Sequence, residues 1–430
     1  MSKTSVLMTI VVSVAAVPAL CADWPQWRGP NRDGLWPEDG IVERFDQPQL
    51  SIRWRAKIGS GYSGPTVAAQ RVYVTDRVAA PVQLERVHCF EAMSGQKLWS
   101  YEYECDYEQV AKRDGPRASV TVDDGRAYSL GTMGDLHCFN AATGEVLWMK
   151  RLKTEYNITL PIWGSSAAPL VEGDMVIVHV GGKEDACLVA FDKATGRQRW
   201  KSLGDDASYS APIVIEQAGE RVLVCLTGQR LVGLNPRTGS LCWEAPFPPR
   251  KMVHHIASPV FENGWLFVSS FFDGSLLLKV DPDALSVTEL WSRRGDSERG
   301  TDALHCCIST PLIRGRYIYG IDAYGQLRCL DVRTGDRVWE ISRAVAPNRW
   351  ATAHMVGNGD KIWMFNEYGE LIISELSPDG YKEISCAKLI EPTKGQLERG
   401  VCWAHPAFAY RHVYARNDNE IVCADLSACD

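Results

Sequence analysis

The stretch AFDKATGRQRW, residues 190–200, runs from an apolar strand end through Asp192 and a Thr195-Gly196 pair to Trp200, eight residues beyond the aspartate. That order describes a tight hairpin. A short carboxylate or amide bonds the turn backbone, glycine accepts a positive φ, and β-branched or aromatic neighbours favour strands. The spacing recurs from Asn140 to Trp148, Asn235 to Trp243 and Asp331 to Trp339, each with Thr-Gly at the same offsets. Glu91, Ser94, Gly95 and Trp99 form a fifth copy with conservative changes, and Asp281 to Trp291 a sixth with two extra residues.

With Trp54 included, the tryptophans at 54, 99, 148, 200, 243, 291 and 339 lie 43 to 52 residues apart. A second landmark, a small residue before Pro or its substitute at the head of an apolar strand, occurs eight times: SGPTV, RASVTV, SAAPLV, SAPIV, ASPVF, STPLI, ATAHMV and AHPAF. Between landmarks lie four short strands, for example APIVI, RVLVCL, RLVGL and SLCWEA within residues 211–245. Four strands at this period describe a propeller blade. The last unit stops at Cys423-Ala424-Asp425, before its turn and tryptophan strand, while the first recognisable element is an orphan tryptophan strand, LSIRWRAKI (50–58). The expectation is therefore an all-β, eight-bladed β-propeller of four-stranded antiparallel blades over residues 49–430, its ring closed by pairing of the N- and C-terminal strands. An open solenoid would call for polar caps, and neither end reads as one. The seventh unit is worn: Glu375 lacks a following Thr-Gly, and Ile384 stands for the tryptophan.

The chain carries 46 Lys+Arg against 53 Asp+Glu, a net charge of −7, so it has no broad positive field and nucleic acid is not an expected partner. Residues 1–22 read as a signal peptide, with Lys3 before an apolar run at 6–20 that is short for a membrane span. No later segment has the apolar length of a transmembrane helix, so the expected location is the periplasm or cell envelope. A lipid anchor at Cys21 would call for a small residue just before it, where Leu20 stands. Residues 23–48 form an N-terminal extension that includes DWPQWRGPNRDG (23–34). Four of the 14 cysteines, Cys89, Cys138, Cys329 and Cys423, share one repeat position. Equivalent positions in separate blades lie far apart, so these read as small buried hydrophobes rather than disulfide partners.

The repeat resembles the PQQ-binding-like β-propeller family, whose pattern A-[FL]-D-x-x-T-G-x-x-x-W matches residues 190–200. The DWPQWRGPNRDG segment is similar to the N-terminal signature of exported PQQ-like repeat proteins common in planctomycete-type bacteria. The resemblance implies either of two roles: an envelope scaffold similar to the lipoprotein B propeller of outer-membrane assembly, or a quinoprotein alcohol dehydrogenase using PQQ and Ca²⁺. Under the second, the vicinal pair Cys306-Cys307 would form a disulfide against the quinone. No Ca²⁺ ligand set or catalytic base can be carried over from those enzymes, and no metal-ligand spacing surrounds His254-His255. The preferred expectation is thus a non-enzymatic scaffold with no cofactor, recognising an envelope protein or polymer.

The segments crossing from one blade to the next are long and varied, at 104–117, 153–164, 246–257 and 293–309, whereas the Thr-Gly turns are short and uniform. Local function should therefore sit on the crossing face. Tyr62, Arg117, Trp163, Tyr209, His254, His305, Trp350 and Trp403 each precede an inner strand and are the candidates to line that mouth. Aromatic and cationic groups of this kind bind a peptide or a planar ligand, or else simply pack the channel.

Overall fold

The computed structural model describes residues 22–428. The Cys21 anchor and all but the last residue of the 1–22 export signal lie outside the described residues. Eight four-stranded antiparallel sheets are arranged as blades. Blade four is representative, with strands Ile213–Gln217, Glu220–Leu226, Arg230–Leu234 and Leu241–Pro246. Blades one, two and three span 66–104, 121–151 and 170–202, and blades five, six and seven span 260–293, 312–341 and 353–388. Blade eight joins the two ends of the chain. Its outer strand is Ile52–Lys57, paired antiparallel with Glu420–Asp425. This leaves the ring without an open seam. The only helix among the described residues is Leu152–Glu155, so none is long and apolar enough to cross a membrane.

Neighbouring blades are held by apolar clusters between their faces. One joins blades four and five through Val222, Val224, Leu266 and Leu276, and others join two with three, three with four, five with six and six with seven. The repeat tryptophans add a directional contact. Trp54, Trp99, Trp148, Trp200 and Trp291 each donate their indole N–H to a carbonyl in the Thr-Gly turn of the next blade, Ser-Gly in the case of Trp54, at 2.8 to 3.2 Å. Their rings lie against Gly95, Gly144, Gly196, Gly239 and Gly335 respectively, the turn glycines of that next blade. The hairpin chemistry read from the sequence is present. Asp192 Oδ1 accepts from the Ala194 and Thr195 amides, and Asn140 and Asn235 do the same for their turns.

The worn seventh blade requires one correction. Strand pairing places Ser385, not Ile384, at the tryptophan's ladder position, opposite Ile373. Ile384 is the bulged residue beside it. No tryptophan is called for, because blade eight takes its outer strand from the other end of the chain and has no Thr-Gly turn to receive one. The incoming segment fills the site instead: Phe45 N–H donates to Ser385 Oγ, and the Phe45 ring packs edge-on against Trp363.

The N-terminal extension is built into the ring. Trp24 exchanges two backbone hydrogen bonds with Val67 of blade one, and Pro25 O accepts from Val122 of blade two. Trp36 and Gly34 bond Gly357 of blade seven. Between these points the chain reaches into the channel. The buried Arg32 guanidinium donates to Ala168 O, Pro169 O and Pro212 O, tying blades three and four to the extension. Residues 23–36 thus plug the channel from the side opposite the crossings.

Candidate functional site on the crossing face

Each inner strand starts at the crossing face, so the residues just ahead of the eight strands converge on the channel axis. They enclose a cavity of about 210 Å³. Tyr62, Arg117, Trp163, Tyr209, His254, Trp350 and Trp403 all line it. His305 does not. Its ring turns away from the axis: Nε2 accepts from Gly295 N–H within the 293–309 crossing and Nδ1 donates to Phe271 O of the blade-five hairpin, so both nitrogens are used to pin the crossing to that blade.

The walls are aromatic pairs. Tyr62 stacks near Trp403 at 6.4 Å, Trp163 meets Tyr209 at 5.0 Å, and the Trp163 and His254 rings meet edge to face at 5.0 Å. The Arg117 guanidinium lies 4.9 Å over the Tyr62 ring, and Lys112 Nζ is 6.0 Å from Trp350. Both cations are held by backbone carbonyls, Lys112 by Gln396 O and Arg117 by Ala111 O, so neither is neutralised by a carboxylate there. The lining contains no Asp or Glu. Burial pushes His254 and His354 down to about 4 and His405 well below its ordinary value, which leaves these imidazoles uncharged near neutral pH. The lining is therefore aromatic and apolar, edged by two cations, with the Asp114 carboxylate behind it accepting from the Tyr62 hydroxyl.

Sequence reasoning missed Trp27, Lys112, His354 and His405, which also line the cavity. Trp27 comes from the plug, forms the floor and donates to Ser258 Oγ at 2.9 Å. A signal existed for the two histidines: they break the run of small residues and prolines in the strand heads ATAHMV and AHPAF. Nothing in the sequence brings Trp27 to this mouth. On the far side of the plug a second hollow of about 730 Å³ is bounded by Arg28, Arg32, Trp36 and the inner strands of blades four to six.

Ca²⁺ takes six to eight oxygen ligands, largely carboxylate and amide. The cavity lining supplies no carboxylate or side-chain amide, so its donor set does not fit a Ca²⁺-quinone centre. Cys306 and Cys307 are free thiols on opposite sides of the strand head, Cys306 in the core between blades five and six and Cys307 on the cavity wall.

Fold and site together define a closed eight-bladed propeller with an aromatic, cation-edged mouth and a channel plugged from below. Residues 83–341 match the family described as outer membrane protein assembly factor BamB, and the chain belongs to that family of PQQ-like repeats. It is 22% identical to the outer membrane protein assembly factor BamB of Bordetella pertussis over 74% of this chain and 69% of that protein. With the protein of the same name from Burkholderia pseudomallei it shares 27% identity over 68% and 70%. Among solved structures, BamB from Moraxella catarrhalis superposes with a TM-score of 0.59 at 16% identity, over 87% of this chain and 99% of that one. The quinohemoprotein alcohol dehydrogenase of Comamonas testosteroni superposes at 0.63 with 13% identity, over 95% and 81%. At these identities both structures speak to the fold alone.

Proposed function

We propose that this protein is an exported, non-enzymatic scaffold of the cell envelope that holds a protein partner by the crossing-face mouth, in the manner of an outer-membrane assembly factor. Membership of the BamB family supports the class of role. The observation that carries the assignment of the face is the cavity itself: paired aromatic walls, two cations held by carbonyls and no carboxylate. Rigid aromatic and guanidinium groups around a concave patch supply the anchor positions typical of protein interfaces. A partner segment bearing apolar and acidic side chains suits this lining.

Capture from envelope extracts tests the reading. Immobilised wild-type protein should retain a partner that Arg117→Ala/Trp163→Ala/Trp350→Ala protein retains at least tenfold less, with far-UV circular dichroism unchanged. Equal capture by the variant would discredit this face. Reconstitution with PQQ and Ca²⁺ addresses the dehydrogenase reading, and a bound-quinone spectrum with alcohol-driven dye reduction would replace the scaffold assignment.

A further inference from the structure

The N-terminal extension shows how the channel wall accepts a second chain segment. Trp24 forms an antiparallel bridge with Val67, exchanging bonds of 2.7 and 2.8 Å, and the next residue, Pro25, accepts from Val122 N–H at 2.8 Å. Gly357 exchanges two bonds of 2.8 Å with Gly34 and Trp36. Val67, Val122 and Gly357 are each the last residue but one of an inner strand, where the main-chain polar groups turn away from the hairpin and into the channel. Phe261 and Ile313 hold the same place in blades five and six. No main-chain bond reaches them from the extension. Both line the second hollow, of about 730 Å³, which opens between the exposed turn glycines Gly315 and Gly359.

We propose that this hollow docks an extended, acidic segment of a partner protein, which adds to the inner-strand edges of blades five and six as the extension adds to those of blades one and two. Strand addition draws one donor and one acceptor from each chain, and a peptide carries both at nearly every residue. A free inner edge is otherwise a row of unpaired groups that folds tend to cover. The volume is that of a ligand site rather than of a packing gap.

Charge selects the chemistry of the segment. Three guanidiniums border the hollow, and the bonds they make go to neutral oxygens: Arg28 to Arg32 O and Asp33 O, Arg32 to Gln26 Oε1 and three carbonyls, Arg314 to Gly359 O at 2.6 Å. The two carboxylates there, Asp33 and Glu262, accept instead from the main-chain N–H groups of Leu35 and Gly315. Burial lowers Arg28 and Arg32 to about 10 and about 9, and an anion in the hollow relieves that cost. Arg314 is only part-buried, so it is the group an incoming carboxylate meets directly. The hollow lies across the plug from the crossing-face mouth, so this dock stands or falls separately from the scaffold reading.

The test uses the full-length protein and a fluorescein-labelled seven-residue peptide of alternating valine and threonine with glutamate at its centre, followed by anisotropy and by site-resolved amide hydrogen exchange. The peptide should slow exchange at Phe261 and Ile313 and leave Val67 and Gly357, already bonded to the extension, unchanged. A peptide with lysine at its centre should bind at least tenfold more weakly, and Arg314→Glu should reverse that preference. Absence of binding, equal binding of the two peptides, or protection confined to the mouth around Trp163 would overturn the proposal. Protection of Phe261 and Ile313 in the free protein as its concentration rises would also overturn it, by showing a second copy in the hollow. The wild-type comparison of the two peptides decides the matter even if Arg314→Glu does not fold.

Discussion

Gly196 illustrates how one residue serves both its own turn and the neighbouring blade. Its φ of +68° closes the hairpin, and its missing side chain leaves room for the Trp148 ring, since a Cβ there would stand 2.8 Å from Cδ2. Gly173 has a similar φ of +61° but open space around it. Gly173→Ala should therefore cost about 1 kcal/mol from backbone strain, and Gly196→Ala about 3 kcal/mol because strain and ring displacement add. Urea denaturation midpoints of the two variants check this, and equal losses would remove the interblade role of the glycine. The reading of Cys89, Cys138, Cys329 and Cys423 as buried hydrophobes agrees with the structure, where all four are free and 0% exposed. Each stands between a Tyr and a Trp on the flanking strands, as in Tyr128, Cys138 and Trp148. In blade two, Tyr128 OH and Trp148 Nε1 donate to the same carbonyl, Lys193 O. The tyrosine half of that contact was visible in the repeat as Tyr73, Tyr128, Tyr319 and Tyr414, but its meaning depends on which blade face meets which.

At the scale of the element, an irregular repeat is compensated by a neighbour. The turn between Asp281 and Ser286 is two residues longer than its counterparts, and Trp243 does not bond it directly. Gln217 bridges the gap, accepting from Trp243 Nε1 at 2.9 Å and donating to Ala284 O and Ser286 O. Gln217→Ala strands an indole N–H and two carbonyls, and is expected to lower stability by about 1–3 kcal/mol. A chemical-denaturation curve followed by tryptophan emission measures it; a loss near zero would mean that water replaces the bridge. The plug follows the same logic. Its residues carry no repeat signal, so the sequence shows only an extension, while the burial of Arg32 against three carbonyls shows an element shared by two blades.

For the whole molecule, the buried histidines set the acid limit. Burial lowers His137, His179, His254 and His354 from an ordinary value of 6.5 to about 4. The unfolded chain binds more protons than the folded one between these values, so stability is present above pH 6.5 and falls as pH drops towards 4. Asp135, raised to about 6 by burial and Glu85, acts in the opposite sense, since its contribution is lost as pH rises through 6, and burial raises Asp322 and Glu367 as well; but these are three groups against six once His305 and His405, also lowered by burial, are counted. Near pH 5 the slope should reach several kcal/mol per pH unit, at about 1.4 kcal/mol per proton. Denaturation midpoints between pH 7 and pH 4.5 test this, and a flat profile would show that the histidines are not buried as described.

The number of blades, the hairpin turns and the closing strands were all legible in the chain, because the strand-head landmark recurs eight times, the hairpin spacing recurs six times with variations, and the two ends carry complementary parts of one blade. The lining of the mouth was mostly legible for the same reason, since seven residues ahead of inner strands do converge on the cavity. His305 departs because its ring nitrogens find partners in its own crossing, at Gly295, and in the blade-five hairpin, at Phe271 O. The floor made by Trp27 and the meeting of Cys307 with His254 required the closed ring, which brings together residues more than fifty positions apart through contacts that no local pattern encodes.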